Sequence, residues 1–568
     1  MEGILMATII HKTKKGRPYF YAVESGRVNG KPRIVWQKYL GTVEAIVARV
    51  DEAKPARPKE VVICEAGGVA ALLRIAQRLD LLDLLNDVVP KRDQGPTVGH
   101  YLLLAAINRA LAPCSKLAIG QWYDHTVLRR LWRFPVSHFS SQRFWDHMDL
   151  VSEEAIETIQ ERLLPRILAT FGMDPRLLLY DTTNFFTFIS SVNAKADLAQ
   201  RGHSKAKRHD LRQIGLALLV SREFQIPLLH HTYAGNIPDV ALFPDMARHM
   251  VARYAKIAGA AAQATLVFDK GNVSESGMEE LLVPGLHFVA ALPWRTFPEL
   301  FQTARDHFEP VAGAPGTRAF TAQTNLFDRT CRAVVSYTES FFTQQLLGVT
   351  TNLVKCQKKL LDLEKSLHRW RQGKGRGKRP SVASVRHAIR SILSAQFMDQ
   401  LFHTSVAEDN GLPTVHYDVD HAALQHLADH HLGRTLLLTD HLDWTSRDTI
   451  EAYRSLTSVE EAFKNMKHDD FLHWQPAWHW TDHKLRVHAL YCVLALLLAS
   501  LARQTASQAG IELALPALLA ELSDIREVAL LYPPATPGTP KDHITLSRMS
   551  PRQRKLAETL DIASILAG

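Results

Sequence analysis

Cysteine is scarce in this chain, and the few cysteines present are scattered. The five cysteines among 568 residues form no CxxC pair, which argues against zinc ribbons and a disulfide framework and is typical of a reducing cytosol. The N-terminus also lacks a basic region followed by an apolar one, so we expect no secretory signal. The most apolar segment, Ala489 to Ala502, is too short to cross a bilayer and predicts a buried helix.

The chain carries a modest excess of positive charge. Lysine and arginine number 67 against 58 acidic residues, a net charge of +9. This balance leans toward a polyanionic partner, although many basic enzymes bind no nucleic acid. At 568 residues the chain is too long for one hydrophobic core and predicts roughly three to four domains.

The first fifty residues have the pattern of a small basic β unit. The runs Tyr19 to Tyr21 and Ile34 to Trp36 alternate with basic residues, and Val28 to Lys31 has the composition of a hairpin turn. The basic side chains either contact a phosphate backbone or form a solvated sheet face: Lys12, Lys14, Lys15, Arg17, Lys31 and Arg33. Residues 1–50 are therefore the first predicted domain.

A helical region is predicted over residues 51–170. Apolar residues recur at helical spacing from Leu72 to Leu85 and again from Leu102 to Leu111. Ser140 is placed to cap a further helix, and the segment Ser115 to Asp149 is compatible with a helix-turn-helix. Short helices separated by polar turns have the same pattern, so DNA binding by this domain is a hypothesis.

Two apolar runs of strand length each end on an aspartate. Leu177 to Tyr180 leads into Asp181, and Ala264 to Phe268 leads into Asp269. A buried strand can present such a carboxylate at the rim of a sheet, although a strand-terminal aspartate often only caps the next turn. We expect Thr182 to Asn184 to form the turn after the first run.

Further strands accompany these two. Ile214 to Val220 and Ile226 to Leu229 follow Asp181 and are predicted to form an antiparallel meander with it, joined by short turns. Thr435 to Thr439 is one more apolar run, and it ends on Asp440.

A helix is predicted from about Ser446 to Lys467. Five of its residues recur at three- and four-residue steps and share one face: Tyr453, Leu456, Glu460, Phe463 and Lys467. A glutamate and a lysine within an otherwise apolar stripe are costly unless they have partners or a function. Glu460 is therefore a candidate third carboxylate beside Asp181 and Asp269.

The most basic stretch of the chain is 355–390. It holds twelve basic residues against Asp362 and Glu364, and its glycine-rich centre predicts a mobile loop between two helices. The candidate phosphate contacts in that loop are Lys374, Arg376, Lys378 and Arg379. The alternative is a solvated helical hairpin.

Asp181, Asp269 and Glu460 have the composition of a two-metal site. Oxygen ligands suit Mg²⁺, and two such ions can activate the attacking oxygen and stabilise the leaving oxygen of a phosphodiester. Two strand-terminal aspartates and a helical glutamate also occur by chance in a chain of this length. Their spacing alone leaves both interpretations open.

In these residues the sequence resembles the DDE transposases of bacterial insertion sequences, within the clan marked by Tyr-x2-Arg-x3-Glu-x6-Lys. Tyr453, Glu460 and Lys467 match three of the four marked positions. Leu456 stands where the clan has arginine, which puts that residue's phosphate contact in doubt. Arg454 lies on a different helical face and does not simply replace it.

Other segments carry the same resemblance. They are Gly-His-Ser-Lys at Gly202 to Lys205, Gly235-Asn236 with Asp239, Asp-Lys-Gly at Asp269 to Gly271, and Glu521 to Arg526. Their order and register along the chain, rather than any single motif, support it.

The resemblance implies roles for the site residues. Asp181, Asp269 and Glu460 would bind two Mg²⁺ or Mn²⁺ ions. Glu461 is the competing third ligand, but it faces about 100° away from Glu460. Lys467 would hold a phosphate of the transferred strand, and Tyr453 a phosphate near the cleaved end. The alternative for Tyr453 and Lys467 is a helix face packed on the core.

The implied fold is α/β (α+β), with a ribonuclease H-like mixed sheet flanked by helices. The catalytic domain would comprise 171–285 and 431–505, interrupted by an insertion domain over 286–430 that carries the basic segment. A C-terminal region would cover 506–568. An N-terminal β and helical DNA-binding region would precede the catalytic domain.

The implied function is transposition. The protein would bind the terminal inverted repeats of its insertion sequence, cleave the DNA ends and join the 3′-hydroxyls to target DNA. It would act as a homodimer on double-stranded DNA, in the bacterial cytoplasm at the nucleoid and without a membrane. Two alternatives stay open: a catalytically inactive or domesticated DNA-binding relative, and a hydrolase of another substrate with a coincidental cluster of acids.

Overall fold

The structure is a computed structural model, and its described part excludes several internal segments. It describes residues 6–28, 31–52, 58–91, 94–173, 176–190, 192–202, 208, 210–238, 246, 248–250, 252–254, 256, 264–269, 286–326, 329–475, 477–532 and 542–567. Three of the sequence motifs reach beyond these ranges, because His203 to Lys205, Asp239 and Lys270-Gly271 lie outside the described residues.

Seventeen strands and eighteen α-helices are described. The strands are β1 (Met6–Lys14), β2 (Arg17–Val28), β3 (Lys31–Gly41), β4 (Glu60–Glu65), β5 (Leu177–Thr187), β6 (Arg212–Ser221), β7 (Pro227–Ala234), β8 (Ala264–Phe268), β9 (Leu286–Leu292), β10 (Glu309–Pro310), β11 (Thr317–Leu326), β12 (Arg329–Thr338), β13 (Phe402–Asp409), β14 (Leu412–Val419), β15 (Arg434–Thr439), β16 (Arg526–Leu531) and β17 (His543–Leu546). The helices are Val43–Glu52, Gly67–Arg78, Leu81–Val88, Val98–Leu111, Ile119–Asp124, Leu128–Trp132, Ser141–Met148, Glu153–Phe171, Glu339–Arg371, Val382–Ile392, Met398–Leu401, His421–His430, Ser446–Arg454, Thr457–Asn465, Asp482–Gln508, Leu515–Ser523, Pro551–Thr559 and Ile562–Leu566.

A nine-stranded mixed sheet forms the centre of the molecule. Its strand order is β10-β11-β12-β15-β9-β8-β5-β6-β7. Strands β5, β6 and β7 are mutually antiparallel, β5, β8 and β9 are parallel, and β15 is antiparallel to both β9 and β12. The prediction of a mixed sheet flanked by helices is confirmed at this level, and so is the antiparallel meander.

The first connection of the meander is longer than predicted. Residues 188–211 separate β5 from β6, where a short turn was expected. Part of this connection is tied to the protein by polar contacts, because Asp482 accepts the backbone N–H groups of Leu198 at 2.8 Å and Asp197 at 3.1 Å. Arg212 also donates to the Asn193 carbonyl at 3.0 Å. A side chain distant in sequence thus fixes a connection that local turn signals do not describe.

A long apolar helix lies against the sheet. The segment predicted as a buried helix is part of helix Asp482–Gln508, whose length and hydropathy would suffice to cross a membrane. In its most apolar window, however, 94% of the residues are buried inside the protein. It packs against β7 and helices Val98–Leu111 and Gly67–Arg78. The burial is that of a core helix.

The N-terminal and C-terminal regions are joined by strand pairing. β4 pairs antiparallel with β16, and β16 with β17, so the predicted regions 51–170 and 506–568 share one sheet. Gly67 follows β4 at the point of closest approach, where an added Cβ would lie 2.5 Å from both the Leu522 carbonyl oxygen and the Ile525 Cβ. A pairing between such distant segments has no local sequence signal.

Residues 339–433 form a unit with its own hydrophobic core, which we call the insertion unit. The core is built from helices Glu339–Arg371 and Val382–Ile392 and the β13–β14 hairpin, with Leu360, Met398 and Leu401 fully buried. The predicted insertion began earlier, at residue 286, but β9 to β12 belong to the central sheet.

Candidate active site

The pairing of β5 with β8 brings together the two strand segments that lead into Asp181 and Asp269. Leu177 pairs with Thr265 and Leu179 with Val267, an offset of 88 residues (265 − 177). The same offset relates Asp181 to Asp269 (269 − 181 = 88). Paired residues of neighbouring strands lie about 4.8 Å apart. The pairing itself ends at Leu179 and Val267, two residues before the aspartates, and Asp269 lies just past the end of β8.

Asp181 lies where β5 loses one of its neighbours. Pairing with β8 extends as far as Leu179, whereas pairing with β6 continues to Thr187. Thr182 to Asn184 are therefore strand residues, and the predicted turn at this point is wrong. Thr182 to Asn184 continue the backbone pairing with β6, whereas β8 no longer pairs with β5 here and a cleft begins. Asp181 is partly exposed in that opening, and its Oδ1 accepts the Thr182 N–H at 2.8 Å.

The predicted helix from Ser446 to Lys467 is divided into two. We call helix Ser446–Arg454 the Tyr453 helix and helix Thr457–Asn465 the Glu460 helix. At the break the Leu456 N–H donates to the Tyr453 carbonyl, three residues back, which is the tighter spacing of a 3₁₀ turn. Lys467 lies past the last helical residue, so its position depends on the following turn.

Tyr453, near the end of its helix, contacts Asp269. Its hydroxyl donates to Asp269 Oδ1 at 2.8 Å. Burial raises the pKa of Tyr453 well above its usual value, and the negative charges of Asp269 and Glu460 raise it further. The hydroxyl therefore stays protonated and remains a donor, and Glu460 lies close enough to act on it electrostatically.

Glu460 and Lys467 face β5 across a cleft of about 650 Å³ that Asp181 also lines. Lys467 Nζ donates to Thr183 Oγ1 at 2.9 Å and lies 5.1 Å from the centre of the Phe185 ring. Asp181, Thr183 and Phe185 alternate along β5 and so share one face. Both Glu460 and Lys467 are exposed, and the structure brings them to the face that carries Asp181.

Glu461, the competing third ligand, lies against another part of the protein. Its Oε2 accepts from Gln225 Nε2 at 3.2 Å, and Gln225 Oε1 in turn accepts from Arg503 at 3.0 Å. Gln225 lies in the turn between β6 and β7, whereas Glu460 lines the cleft with Asp181. The two adjacent glutamates are thus directed to different neighbours.

Leu456 is a core residue. Its side chain is 9% exposed and packs within the main hydrophobic cluster. A charged arginine at this position would be buried, which is costly without a partner. Arg454 is exposed instead, and its Nη2 donates to Thr317 Oγ1 at 2.6 Å, at the start of β11. Neither residue lines the cleft of Asp181 and Glu460.

The three carboxylates do not form one tight group. Among the described residues, Asp181, Asp269 and Glu460 are not a set whose ligand atoms all lie within 4.8 Å of one another. Asp181 and Glu460 line the first cleft, whereas Asp269 and Tyr453 line a second cavity of about 920 Å³ between the sheet and the insertion unit. The wall of this cavity also carries basic and aromatic side chains: Trp294, Arg295, Phe341, Arg390, Phe397 and Arg434.

The predicted basic loop joins two helices, as its glycines indicated. Lys374, Arg376, Lys378 and Arg379 lie between helices Glu339–Arg371 and Val382–Ile392, and all four are exposed. Arg379 Nη2 donates to the Gly411 carbonyl at 2.9 Å, at the tip of the β13–β14 hairpin. The four residues line neither cavity described above, and their DNA contacts stay a prediction.

Charge is unevenly distributed over the chain. Residues 6–41 carry eight basic side chains against one acidic, a net +7, and residues 355–390 carry twelve against two, a net +10. Since the whole chain has +9, the remainder has −8 (9 − 7 − 10). The modest total therefore conceals two strongly basic segments.

Two acidic residues of the first cleft were not singled out from the sequence. Asp469 and Asp470 line it and are exposed, just beyond Lys467. Their signal is the polar run His468-Asp469-Asp470 directly after the Tyr-x6-Glu-x6-Lys register. They add negative charge beside Asp181 and Glu460.

Comparisons with known proteins include a distant structural likeness. No protein-family profile and no curated protein matches the chain. Among solved structures, it is similar to one described as a cryo-EM structure of the piggyBac transposase synaptic complex with hairpin DNA. The match has 9% identity and a TM-score of 0.35, over 80% of this chain and 79% of that one. At that score the likeness carries no argument about fold or function.

Proposed function

We propose that this protein is a DNA transposase of the DDE type from a bacterial insertion sequence. It binds the terminal inverted repeats of its element, cleaves the DNA at each end and joins the 3′-hydroxyls to target DNA. The observation that carries the proposal is the parallel pairing of β5 and β8, which lead with the same offset to Asp181 and Asp269, with Tyr453 bonded to Asp269 and Glu460 beside Asp181.

The proposal includes a ribonuclease H-like arrangement of the catalytic sheet. It is supported by three antiparallel strands, β5 to β7, followed by two parallel ones, β8 and β9, on the other side of β5. This order carries Asp181 on the central strand of the five and Asp269 just beyond its neighbour. Helices cover the sheet, and the chain between β12 and β15 leaves it to build the insertion unit.

Asp181, Asp269 and Glu460 are the residues that would hold two Mg²⁺ or Mn²⁺ ions. The fit rests on their donor set, since all three offer carboxylate oxygens, which these ions prefer. When bound, such a pair of ions activates the attacking oxygen and stabilises the leaving oxygen of the phosphodiester. The three carboxylates form no tight group in this structure, so joint binding of the two ions would require the three acids to move closer together.

The surrounding residues orient these acids and the DNA. The Tyr453 hydroxyl fixes Asp269 through its donated hydrogen bond. Lys467, held beside Asp181 by Thr183, supplies a positive charge to a phosphate that enters the cleft. Leu456 gives no such charge, so Lys467 and the arginines of the second cavity take that role in our proposal.

Double-stranded DNA would contact the two basic segments. Strands β1, β2 and β3 form a separate three-stranded sheet, which combines its basic side chains with exposed Trp36 and Tyr39, at 47% and 52% exposure. The loop from Lys374 to Arg379 would track the phosphate backbone. A homodimer on DNA would hold both ends for joining, and the bacterial nucleoid would be the place of action.

The test is cleavage of a labelled duplex that carries the inverted repeat flanking the coding region. We expect cleavage with Mg²⁺ by the natural protein and its loss in Asp181→Asn, Asp269→Asn and Glu460→Gln, with binding of the duplex retained. Glu461→Gln is the matched control and should still cleave. Full activity in all three variants would refute the assignment of the acids.

A DNA-binding relative without catalysis is the second candidate, favoured by the buried Leu456 in place of an arginine. In that case the natural protein binds the duplex as tightly as its variants but cleaves nothing with Mg²⁺ or Mn²⁺. Absence of any salt-dependent DNA binding would exclude both candidates.

A further inference from the structure

A second group of possible metal ligands lies at the other end of the central strands from Asp181 and Asp269. His287 is on β9, and Asp440 and His441 directly follow β15. One ligand atom from each of the three lies within 4.8 Å of the other two. β15 runs antiparallel to β9, with Thr439 opposite Val289, so its end meets the start of β9.

Asp440 is held with its carboxylate toward His287. Its Oδ1 accepts the Phe288 N–H at 3.0 Å, and its Oδ2 lies 3.2 Å from His287 Nδ1. The Asp440 side chain is 11% exposed and that of His287 is 27% exposed. The Arg329 guanidinium lies 3.6 Å from the same Oδ2 and is the competing cation for it.

His441 is oriented by a hydroxyl and by ring stacking. Its Nε2 lies 2.8 Å from Thr265 Oγ1 on β8, and its ring stacks on Trp444 at 4.0 Å and on His287 at 4.1 Å. A histidine that binds a metal through one nitrogen usually has its other nitrogen bonded to an oxygen, which fixes the tautomer. The Thr265 contact therefore leaves Nδ1 of His441 as the ligand atom.

We propose that His287, Asp440 and His441 bind one Zn²⁺ ion, which joins the end of β15 to the start of β9. Two imidazoles and one carboxylate are a ligand set that Zn²⁺ accepts and Mg²⁺ does not favour. Three protein ligands leave a fourth position for water. Thr265 of β8 precedes Asp269 by four residues, so the zinc site lies about 13 Å from Asp269 along the direction of the strand.

Zinc binding by the full-length protein without DNA is the direct test. The protein is stripped with a chelator, desalted and titrated with Zn²⁺ against a chromophoric chelator. We expect one equivalent bound, its loss in His287→Ala and His441→Ala, and about 10- to 100-fold weaker binding in Thr265→Val, which removes the orienting hydroxyl. Arg329→Gln should bind Zn²⁺ at least as tightly, because a competing cation is gone.

The matched control removes two exposed histidines outside the cluster, as His403→Ala with His426→Ala. This variant should still bind one equivalent of Zn²⁺. The control is needed because the chain has 27 histidines, any of which could bind Zn²⁺ weakly. Equal Zn²⁺ binding by the natural protein and by His287→Ala with His441→Ala would overturn the proposal, and so would no binding by the natural protein.

Folding is checked by circular dichroism and by thermal unfolding without zinc. If an alanine variant misfolds, Asp440→Asn replaces it, because the amide oxygen still accepts the Phe288 N–H. Zn²⁺ should raise the unfolding temperature of the natural protein and the control but not that of Asp440→Asn. An equal rise in all three proteins would contradict a site at Asp440. These outcomes do not depend on whether the protein cleaves DNA.

Discussion

Replacing Tyr453 with phenylalanine tests how the second aspartate is positioned. The change removes one oxygen atom, the hydroxyl that donates to Asp269 Oδ1 at 2.8 Å, and keeps the half-buried ring. Because burial and the charges of Asp269 and Glu460 raise the pKa of Tyr453, this hydroxyl is a donor throughout the pH range of an assay. Its loss removes one of the contacts that orient the Asp269 carboxylate.

The expected effect follows from the strength of that bond. A hydrogen bond to a charged group contributes about 1.5–3 kcal/mol, which corresponds to about a 10- to 150-fold change in an equilibrium or rate constant. Tyr453 acts through Asp269, so we expect most of the loss in the Mg²⁺ concentration that half-saturates cleavage. The rate at saturating Mg²⁺ should fall less.

The assay is cleavage of the labelled terminal-repeat duplex over a series of Mg²⁺ concentrations. Tyr417→Phe, on β14 of the insertion unit, is the matched control and should behave as the natural protein. Thermal unfolding of both variants separates a loss of fold from a loss of positioning. An unchanged half-saturating Mg²⁺ concentration in Tyr453→Phe would refute the reasoning, whatever the rate.

Two further predictions concern the basic loop and the buried histidines. Changing Lys374, Arg376, Lys378 and Arg379 to glutamine should weaken binding to every DNA sequence and lower the salt slope by about 0.9 for each phosphate that is no longer neutralised. The exposed set Arg548, Arg552, Arg554 and Lys555 is the charge-matched control, and an equal effect in both sets would remove any special role of the loop. Burial holds the pKa of His230 at about 3 and that of His100 at about 4, so both are neutral in the folded protein. The unfolded chain takes up these protons near pH 6.5, so stability should fall as pH drops below that value, by about 2 kcal/mol per histidine at pH 5. An unfolding temperature that does not fall from pH 7 to 5 would contradict this.

Much of the local structure could be predicted from the sequence. The apolar runs before Asp181, Asp269 and Asp440 are β5, β8 and β15, and the apolar segment around Ala489 to Ala502 is a buried helix. These predictions succeed because a strand or a helix leaves a periodic pattern in its own residues. Thr182 to Asn184 are the exception: polar residues suggested a turn, but β6 pairs with them.

The candidate site was less predictable, because its parts meet through contacts between distant segments. The register of Tyr453, Glu460 and Lys467 was interpreted as one continuous helix. In the structure that helix breaks at Leu456, and Lys467 reaches Thr183 from the turn beyond. A helical pattern also gives no indication that Glu461 bonds to Gln225, the contact that directs Glu461 away from the cleft of Glu460.

The sequence by itself determined which residues are candidates: the strand-terminal acids, the Glu460 register and the basic segments. Only the tertiary structure decided their neighbours. Asp181, Asp269 and Asp440 look alike in sequence, since each ends an apolar run. Parallel pairing of β5 with β8 makes the two strands run toward Asp181 and Asp269 in the same direction, whereas the antiparallel direction of β15 brings Asp440 to the other end of the strands, beside His287. The direction of a strand and its pairing register are set by non-local pairing and packing. The periodicity of its side chains therefore does not predict them.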